Sequence, residues 1–470
     1  MSTRRQFLSR TANGFGLAAL AGMLEGALLE GAEVNPLAPK SPPLPATAKS
    51  VIYLFMHGGV SHVDTFDPKP ELTKNSGKPL SLELAKLIKT SFIHDPTKAI
   101  LRGSPWAFKP GGTCGTPVSD LYPNVRQLMD DVTVIRSCYG NQFDHAPAIY
   151  LRSTGFQLPG RPCLGSWVTY GLGTENQNLP AFVVMSDGST KSGPPAYSAG
   201  FLPAVYQGTV FRSGASPILY LKNPDGVTSD VQRGTLDFID KIDKIQERTR
   251  TGDSTLEARI ASYELAWRMQ SSAPEAVDIA NETDATRKLY GIGEGVTDDF
   301  GRKCLLARRL VERGVRFVEL ISGTNVGQDW DDAHTDLTGS HNRMAGKTDK
   351  PIAGLLRDLK SRGLLDSTLV VWGGEFGRTP LAQGDNGRDH HPYGFTIWMA
   401  GGGVKGGRIL GGTDEFGVQA SEMQVDAHDV NATILRLMGI DHKQLTYLYQ
   451  GRGMRLTDVR GDNEFTSKLT

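Results

Sequence analysis

Imidazoles and carboxylates crowd into four short stretches of this 470-residue chain. The first is His57-Gly58-Gly59-Val60-Ser61-His62-Val63-Asp64-Thr65, and the second is Asp329-Trp330-Asp331-Asp332-Ala333-His334. The third is Gly374-Glu375-Phe376-Gly377-Arg378, and the fourth is Gly387-Arg388-Asp389-His390-His391. Imidazole nitrogen and carboxylate oxygen are the donors that a divalent ion such as zinc takes, and oxygen donors suit calcium or magnesium. The ligand pool is Asp64, Asp331, Asp332, His334, Glu375, Asp389 and His390, and it leaves the identity of the ion open. The doubled Asp331-Asp332 leaves the register before His334 open as well. Each stretch also has an ordinary reading: Asp64 as a turn or cap residue, Asp331-Asp332 as a helix cap, and His390-His391 before Pro392 as an exposed loop.

Other groups supply fewer arguments. Asp144-His145-Ala146-Pro147 reads as a helix start, where free N–H groups favour an anion, so His145 is a catalytic candidate. Arg378 is another, either as a bidentate clamp for a phosphate or sulfate or as one half of a structural ion pair. Thr65 and Ser137 are fallback nucleophiles. His428 precedes Asp429 at a further apparent helix start, while His94, His341 and His442 read as surface or packing residues.

What would gather these groups is a sheet. Val51–Met56, Val132–Ile135, Ala181–Met185, Val315–Ile321, Thr368–Trp372 and Phe395–Ala400 are continuous apolar runs, as expected of strands buried on both faces of a mostly parallel sheet. Charged helical patterns separate them, from about Ser229 to Gln270 and from Asp349 to Gly363, where Ile352, Leu355, Leu356 and Leu359 recur at helical spacing. The fold class expected is therefore α/β, with a mostly parallel central sheet flanked by helices. In such sheets ligands bind beyond the C-terminal ends of the strands, where the four stretches fall.

The balance of Lys+Arg against Asp+Glu is 51 to 51, which argues for no nucleic-acid partner. Cys114, Cys138, Cys163 and Cys304 form no C-x-x-C pair, and free thiols or a disulfide are both open. Near the start, Thr3-Arg4-Arg5-Gln6-Phe7-Leu8 precedes a weakly apolar stretch from Gly14 to Leu29, the pattern of a twin-arginine export signal. No other run of about 20 apolar residues predicts a membrane span. The expected organisation is a signal over 1–32, a proline-rich extended linker over 33–48, one α/β domain over 49–462 with an irregular excursion at about 186–225, and a tail over 463–470. The expected location is periplasmic or secreted.

Several motifs carry a resemblance. Asp349–Leu356 with Leu365–Val371, and Asp426–Gly439, are similar to segments of the alkaline phosphatase and sulfatase superfamily. More specifically, most of residues 50–460 resemble the bacterial family called domain of unknown function 1501. The resemblance rests on Gly58–Pro70, Arg161-Pro162-Cys163-Leu164-Gly165-Ser166-Trp167, Glu175–Pro180, Gly373–Pro380 and Gly387-Arg388-Asp389-His390. It implies an alkaline-phosphatase-like fold. Where the superfamily's metal-binding Asp-His pair is expected, this chain has Glu375-Phe376. None of the cysteines begins the motif that sulfatases mature to formylglycine.

Together these readings favour an exported, metal-dependent hydrolase of a phosphate or sulfate ester or a related anionic substrate, a glycan ester among them. The alternative is a non-catalytic protein that keeps the fold and binds a glycan or partner protein, and a purely structural envelope protein is a third reading. Oligomeric state is not legible.

Overall fold

The Val51–Met56 run has no polar edge to offer solvent, and it lies in the middle of an eight-stranded sheet. In the computed structural model, residues 35–470 are described, apart from 91, 187, 189, 213, 215–216, 219–225, 248–253 and 324–328. The expected export signal lies outside the described residues. The strands, in chain order, are β1 (Ser50–Met56), β2 (Val132–Cys138), β3 (Phe182–Ser186), β4 (Thr209–Arg212), β5 (Phe317–Ser322), β6 (Thr368–Gly373), β7 (Phe395–Ala400) and β8 (Arg408–Leu410). Their spatial order is β8-β2-β7-β6-β1-β5-β3-β4. Every neighbouring pair is parallel except those made by β7.

Successive side chains of a strand point to opposite faces, and β1 feeds two cores accordingly. Val51, Tyr53 and Phe55 enter one core, Ile52, Leu54 and Met56 the other. The first is covered by α1 (His145–Thr154), α2 (Leu164–Leu172) and α5 (Ala427–Leu437). The second is covered by α3 (Asp298–Glu312) and α4 (Leu337–Ser361).

Four expectations are corrected. The helix expected from Asp349 begins at Leu337, where the Asp336 side chain accepts from Gly339 N, and it runs on through Pro351. A proline inside a helix removes one backbone bond, but here the apolar face buried on the sheet carries the helix through. The 186–225 excursion contains β4, an edge strand of four residues with only Phe211 buried, too short and one-sided to leave a sequence pattern. Residues 463–470 are not a free tail, because Phe465 and Leu469 are buried in the core under α5. The proline-rich stretch, expected as an extended linker ahead of the fold, is pinned to it: Lys40 N donates to Leu172 O and Leu44 N to Gly439 O, both at 2.9 Å. All four cysteines are free, three of them buried. Among the described residues, no helix is long and apolar enough to cross a membrane.

Candidate metal centre

Five of the parallel strands deliver polar residues to one rim. Beyond β1 lies His57, beyond β2 His145, beyond β3 Lys191, beyond β5 Asp329, Asp331 and His334, and beyond β6 Glu375 and Arg378. His390 follows on a short antiparallel ladder in which His390 pairs with Arg378 and His391 with Gly377. Local structure fixes each of them. His145 is the first residue of α1, and Arg152 further along the helix donates to Glu319 of β5 at 2.6 Å while stacking 4.0 Å over Phe55, which locks the helix to the sheet. Asp331 and His334 lie in a single 3₁₀ turn, Trp330–His334, in which residues three apart share a side. Asp332, one step on, points away. Gly58 has φ +111°, and a Cβ there would come within 2.7 Å of Asp331 N, so only glycine lets the exit of β1 approach this turn.

Three imidazole nitrogens meet at Asp331 Oδ1. It lies 2.9 Å from His145 Nε2, 2.9 Å from His390 Nε2 and 3.2 Å from His334 Nε2, while the last two nitrogens are 2.8 Å apart. Arg378 Nη2 adds a bond to the same oxygen at 2.8 Å. On the far side of the rings, His145 Nδ1 faces Glu375 Oε1 at 2.7 Å and His334 Nδ1 faces Gln383 Oε1 at 2.7 Å. These acceptors hold the ring protons on Nδ1 and turn the Nε2 lone pairs towards each other. Lone pairs that converge on a carboxylate oxygen call for a cation between them. Zinc–nitrogen bonds of about 2.0–2.1 Å in a tetrahedron set the ligand atoms about 3.3 Å apart, close to the 2.8–3.2 Å found between Asp331 Oδ1 and each ring nitrogen and between His334 Nε2 and His390 Nε2. His145, Asp331, His334 and His390 are the residues that would hold it. The cluster is also reachable, with Asp331 22% and His334 14% exposed at the side chain.

Charge is shared across the cluster. Burial pushes the Asp331 carboxyl up, but the adjoining His145, His334 and His390 side chains and the Arg378 charge outweigh it and hold the group well below the usual carboxylate range. Burial also opposes ionisation of Glu375, yet its bond to His145 lowers it to about 2. His145 is pushed down by burial and lifted more strongly by Asp331 and Glu375, ending above its ordinary value. Burial dominates at His390 and keeps that ring well below its ordinary value, in the neutral form that metals bind.

Of the residues singled out in the sequence, Asp331, His334, His390 and His145 come together, with Glu375 directly behind. Asp389 borders them, with a carboxylate oxygen within 4.8 Å of ring nitrogens of His334 and His390, and the remaining ligand candidates lie apart. Asp64 is fully buried against Arg388, Oδ2 to Nε 2.8 Å, and accepts from Ser61 Oγ at 2.5 Å, so it is half of an internal ion pair. Asp332 pairs with Arg343. Asp389 lies 3.9 Å from His334 Nδ1, but its Oδ2 accepts from Phe92 N and Ile93 N at 2.6 and 2.8 Å and its Oδ1 from His390 N at 2.7 Å. Its carboxylate therefore also fixes backbone on both sides. Arg378 is fully buried, and three more of its N–H groups go to the carbonyls of Gly58, Gly59 and Arg388, so it is held in the wall of the site. The hydroxyls of Thr65 and Ser137 donate to Ser61 O and Met423 O, away from the cluster.

Sequence reasoning missed Lys191 and Gln383, and it did not rank His57 or Asp329. Lys191 Nζ contacts Asp331 Oδ2 and lies 3.3 Å from both Asp329 Oδ2 and His145 Nε2. Its signal was faint: one basic residue in the Gly-, Ser- and Pro-rich stretch after an apolar run.

Comparison with solved structures finds distant likenesses. A structure of Ps i-CgsB in complex with k-i-k-neocarrahexaose is 10% identical, with 85% of this chain and 72% of that one covered and a TM-score of 0.38. The lipoteichoic acid synthase LtaP from Listeria monocytogenes is 9% identical over 89% and 78% of the two chains, TM-score 0.38. The alkaline phosphatase from the Antarctic bacterium TAB5 is 12% identical over 84% and 98%, TM-score 0.34. Similarity this low transfers no residue role. No curated protein matches the chain. The family described as protein of unknown function (DUF1501) matches residues 48–467, and the chain belongs to that family.

Proposed function

We propose that this chain is an exported, metal-dependent hydrolase of a phosphate or sulfate ester, or of a related anionic substrate such as a glycan ester. The observation that carries the reading is the convergence of three imidazole Nε2 atoms on Asp331 Oδ1, within 3.2 Å, with two of the rings oriented from behind by Glu375 and Gln383. A divalent ion held there supplies Lewis acidity towards an anionic ester. The protein's own part is orientation: Glu375 fixes the tautomer of His145, and Arg378 fixes Asp331. Lys191 lends positive charge to the same rim. Thr65 and Ser137 are committed elsewhere, and burial pushes the Cys138 thiol up, so the reading takes water as the nucleophile.

The test is metal analysis of the purified protein, followed by assay on aryl phosphate monoesters, diesters and aryl sulfates. About one divalent ion per chain, and turnover of at least one class, are expected in the parent. Loss of both is expected in His390→Ala and Asp331→Ala. Turnover that survives in both variants would overturn the reading. The commitment of the nearby hydroxyls favours a second reading, a metal-bearing protein that binds an anionic glycan or partner without turnover. Bound metal with no activity on any class selects it.

A further inference from the structure

Asp331 offers only Oδ1 to the three imidazoles, and its Oδ2 faces the other way, against Lys191 Nζ. Beside it stands Asp329, 2% exposed. One oxygen, Oδ1, accepts from Asp331 N at 3.0 Å and fixes the turn. The other, Oδ2, is buried and accepts no hydrogen bond among the described residues. It lies 3.3 Å from Lys191 Nζ and 3.6 Å from His57 Nδ1. The backbone N–H of Lys191 donates to His57 Nε2 at 3.1 Å, so the ring proton of a neutral His57 sits on Nδ1 and points at Asp329. A buried carboxylate oxygen without a donor is costly unless a cation stands next to it. Here that cation is the lysine ammonium, which also reaches to 3.3 Å from His145 Nε2.

Two carboxylate oxygens side by side, one of them buried without a hydrogen-bond donor, are part of the donor set of a hard divalent ion, and a carboxylate that gives one oxygen to each of two cations bridges them. We infer that Asp329 and Asp331 form a second cation position next to the first, and that Lys191 fills it with its own ammonium. The inference rests on the metal-centre reading and specifies it. The centre then holds one exchangeable ion and one fixed positive charge, both facing an incoming anion. Lys191 is tied to His57 through its backbone, which keeps the ammonium in place without any metal.

Manganese(II) is a suitable probe, because it accepts nitrogen and oxygen donors and is visible by electron paramagnetic resonance. The full chain is stripped with chelator and titrated with manganese alone. The parent protein is expected to bind one ion per chain with the spectrum of an isolated ion. Lys191→Ala is expected to bind two, with a spectrum showing coupling between them, because Asp331 joins the positions. Adding Asp329→Asn, which keeps the oxygen that caps Asp331, returns the count to one. Lys191→Met, which keeps the bulk without the charge, is expected to match Lys191→Ala and serves if that variant does not fold. One ion in both the parent and the lysine variants overturns the inference and leaves the one-ion centre standing. So does a second ion that shows no coupling, or two ions in the parent. No ion in any of the proteins overturns the inference and the metal-centre reading together.

Discussion

Two histidine- and aspartate-rich regions lie close together at this rim, and they have opposite characters. One is the cluster of His145, Asp331, His334 and His390. The other is the layer of His62, Asp64, His341, Arg388 and His391, every member of it buried. In that layer Asp64 is matched by Arg388 and Ser61, His62 Nε2 meets Gly417 O at 3.0 Å, His391 Nε2 meets Val418 O at 2.5 Å, and His341 Nε2 accepts from Ser61 N at 3.1 Å. At least one nitrogen of each of these rings has a backbone partner, and the one carboxylate has its own guanidinium. In the cluster, nitrogen faces nitrogen and three rings share one oxygen. Equal composition therefore says little about where the chemistry is. What separates the two regions is whether the rings face backbone or face one another across a shared carboxylate oxygen.

The largest way to probe that contrast is acid. Burial pushes His62 and His341 down to about 3. Between about 3 and the ordinary histidine value of 6.5, the unfolded chain binds protons at these positions that the folded chain refuses, so stability falls as pH drops through 6.5 and keeps falling towards 3. Each ring contributes several kcal/mol across that window. Urea midpoints of metal-free protein at pH 7.5 and pH 5 should differ clearly. Equal midpoints would mean that the layer is not sealed.

Asp64→Ala is the next largest. Removing one partner of a buried ion pair strands the Arg388 charge and should cost about 3–5 kcal/mol, read from thermal or urea unfolding. Metal content per folded chain should stay at the parent value. If the folded variant loses its metal, Asp64 belongs with the ligands after all.

This last point marks how far the sequence could be read. Continuous apolar runs located the sheet, and the strand-end rule placed all four polar stretches at one rim. The rule cannot say which carboxylate turns inward. Asp64 and Asp331 both follow strands, but Asp64 meets a guanidinium that lies 324 residues away in the chain, a pairing no local pattern announces. The choice between Asp331 and Asp332 was likewise hidden until the 3₁₀ turn set the phase. His145 was legible as a helix start and was read as an anion site, because the Glu375 that fixes its tautomer arrives from another strand. Lys191 sits where glycine, serine and proline erase periodicity, so nothing in spacing could have singled it out.

The smallest expected effect is the most discriminating. Glu375 holds the proton of His145 on Nδ1 and also accepts from Gly58 N at 3.0 Å. Glu375→Gln keeps an acceptor oxygen for both but removes the charge that makes the ring a stronger donor to an ion. Outer partners of this kind typically change metal affinity by about 10–100-fold, and a loss in that range is expected by competition with a chelator, with unfolding nearly unchanged. His334 already works with a neutral partner, Gln383, so Gln383→Ala should weaken binding less, through orientation alone. Complete loss of metal in Glu375→Gln would make Glu375 a ligand rather than a support. No change at all would mean that the ring nitrogens are not directed from behind, and the contrast between the open cluster and the sealed layer would lose its physical basis.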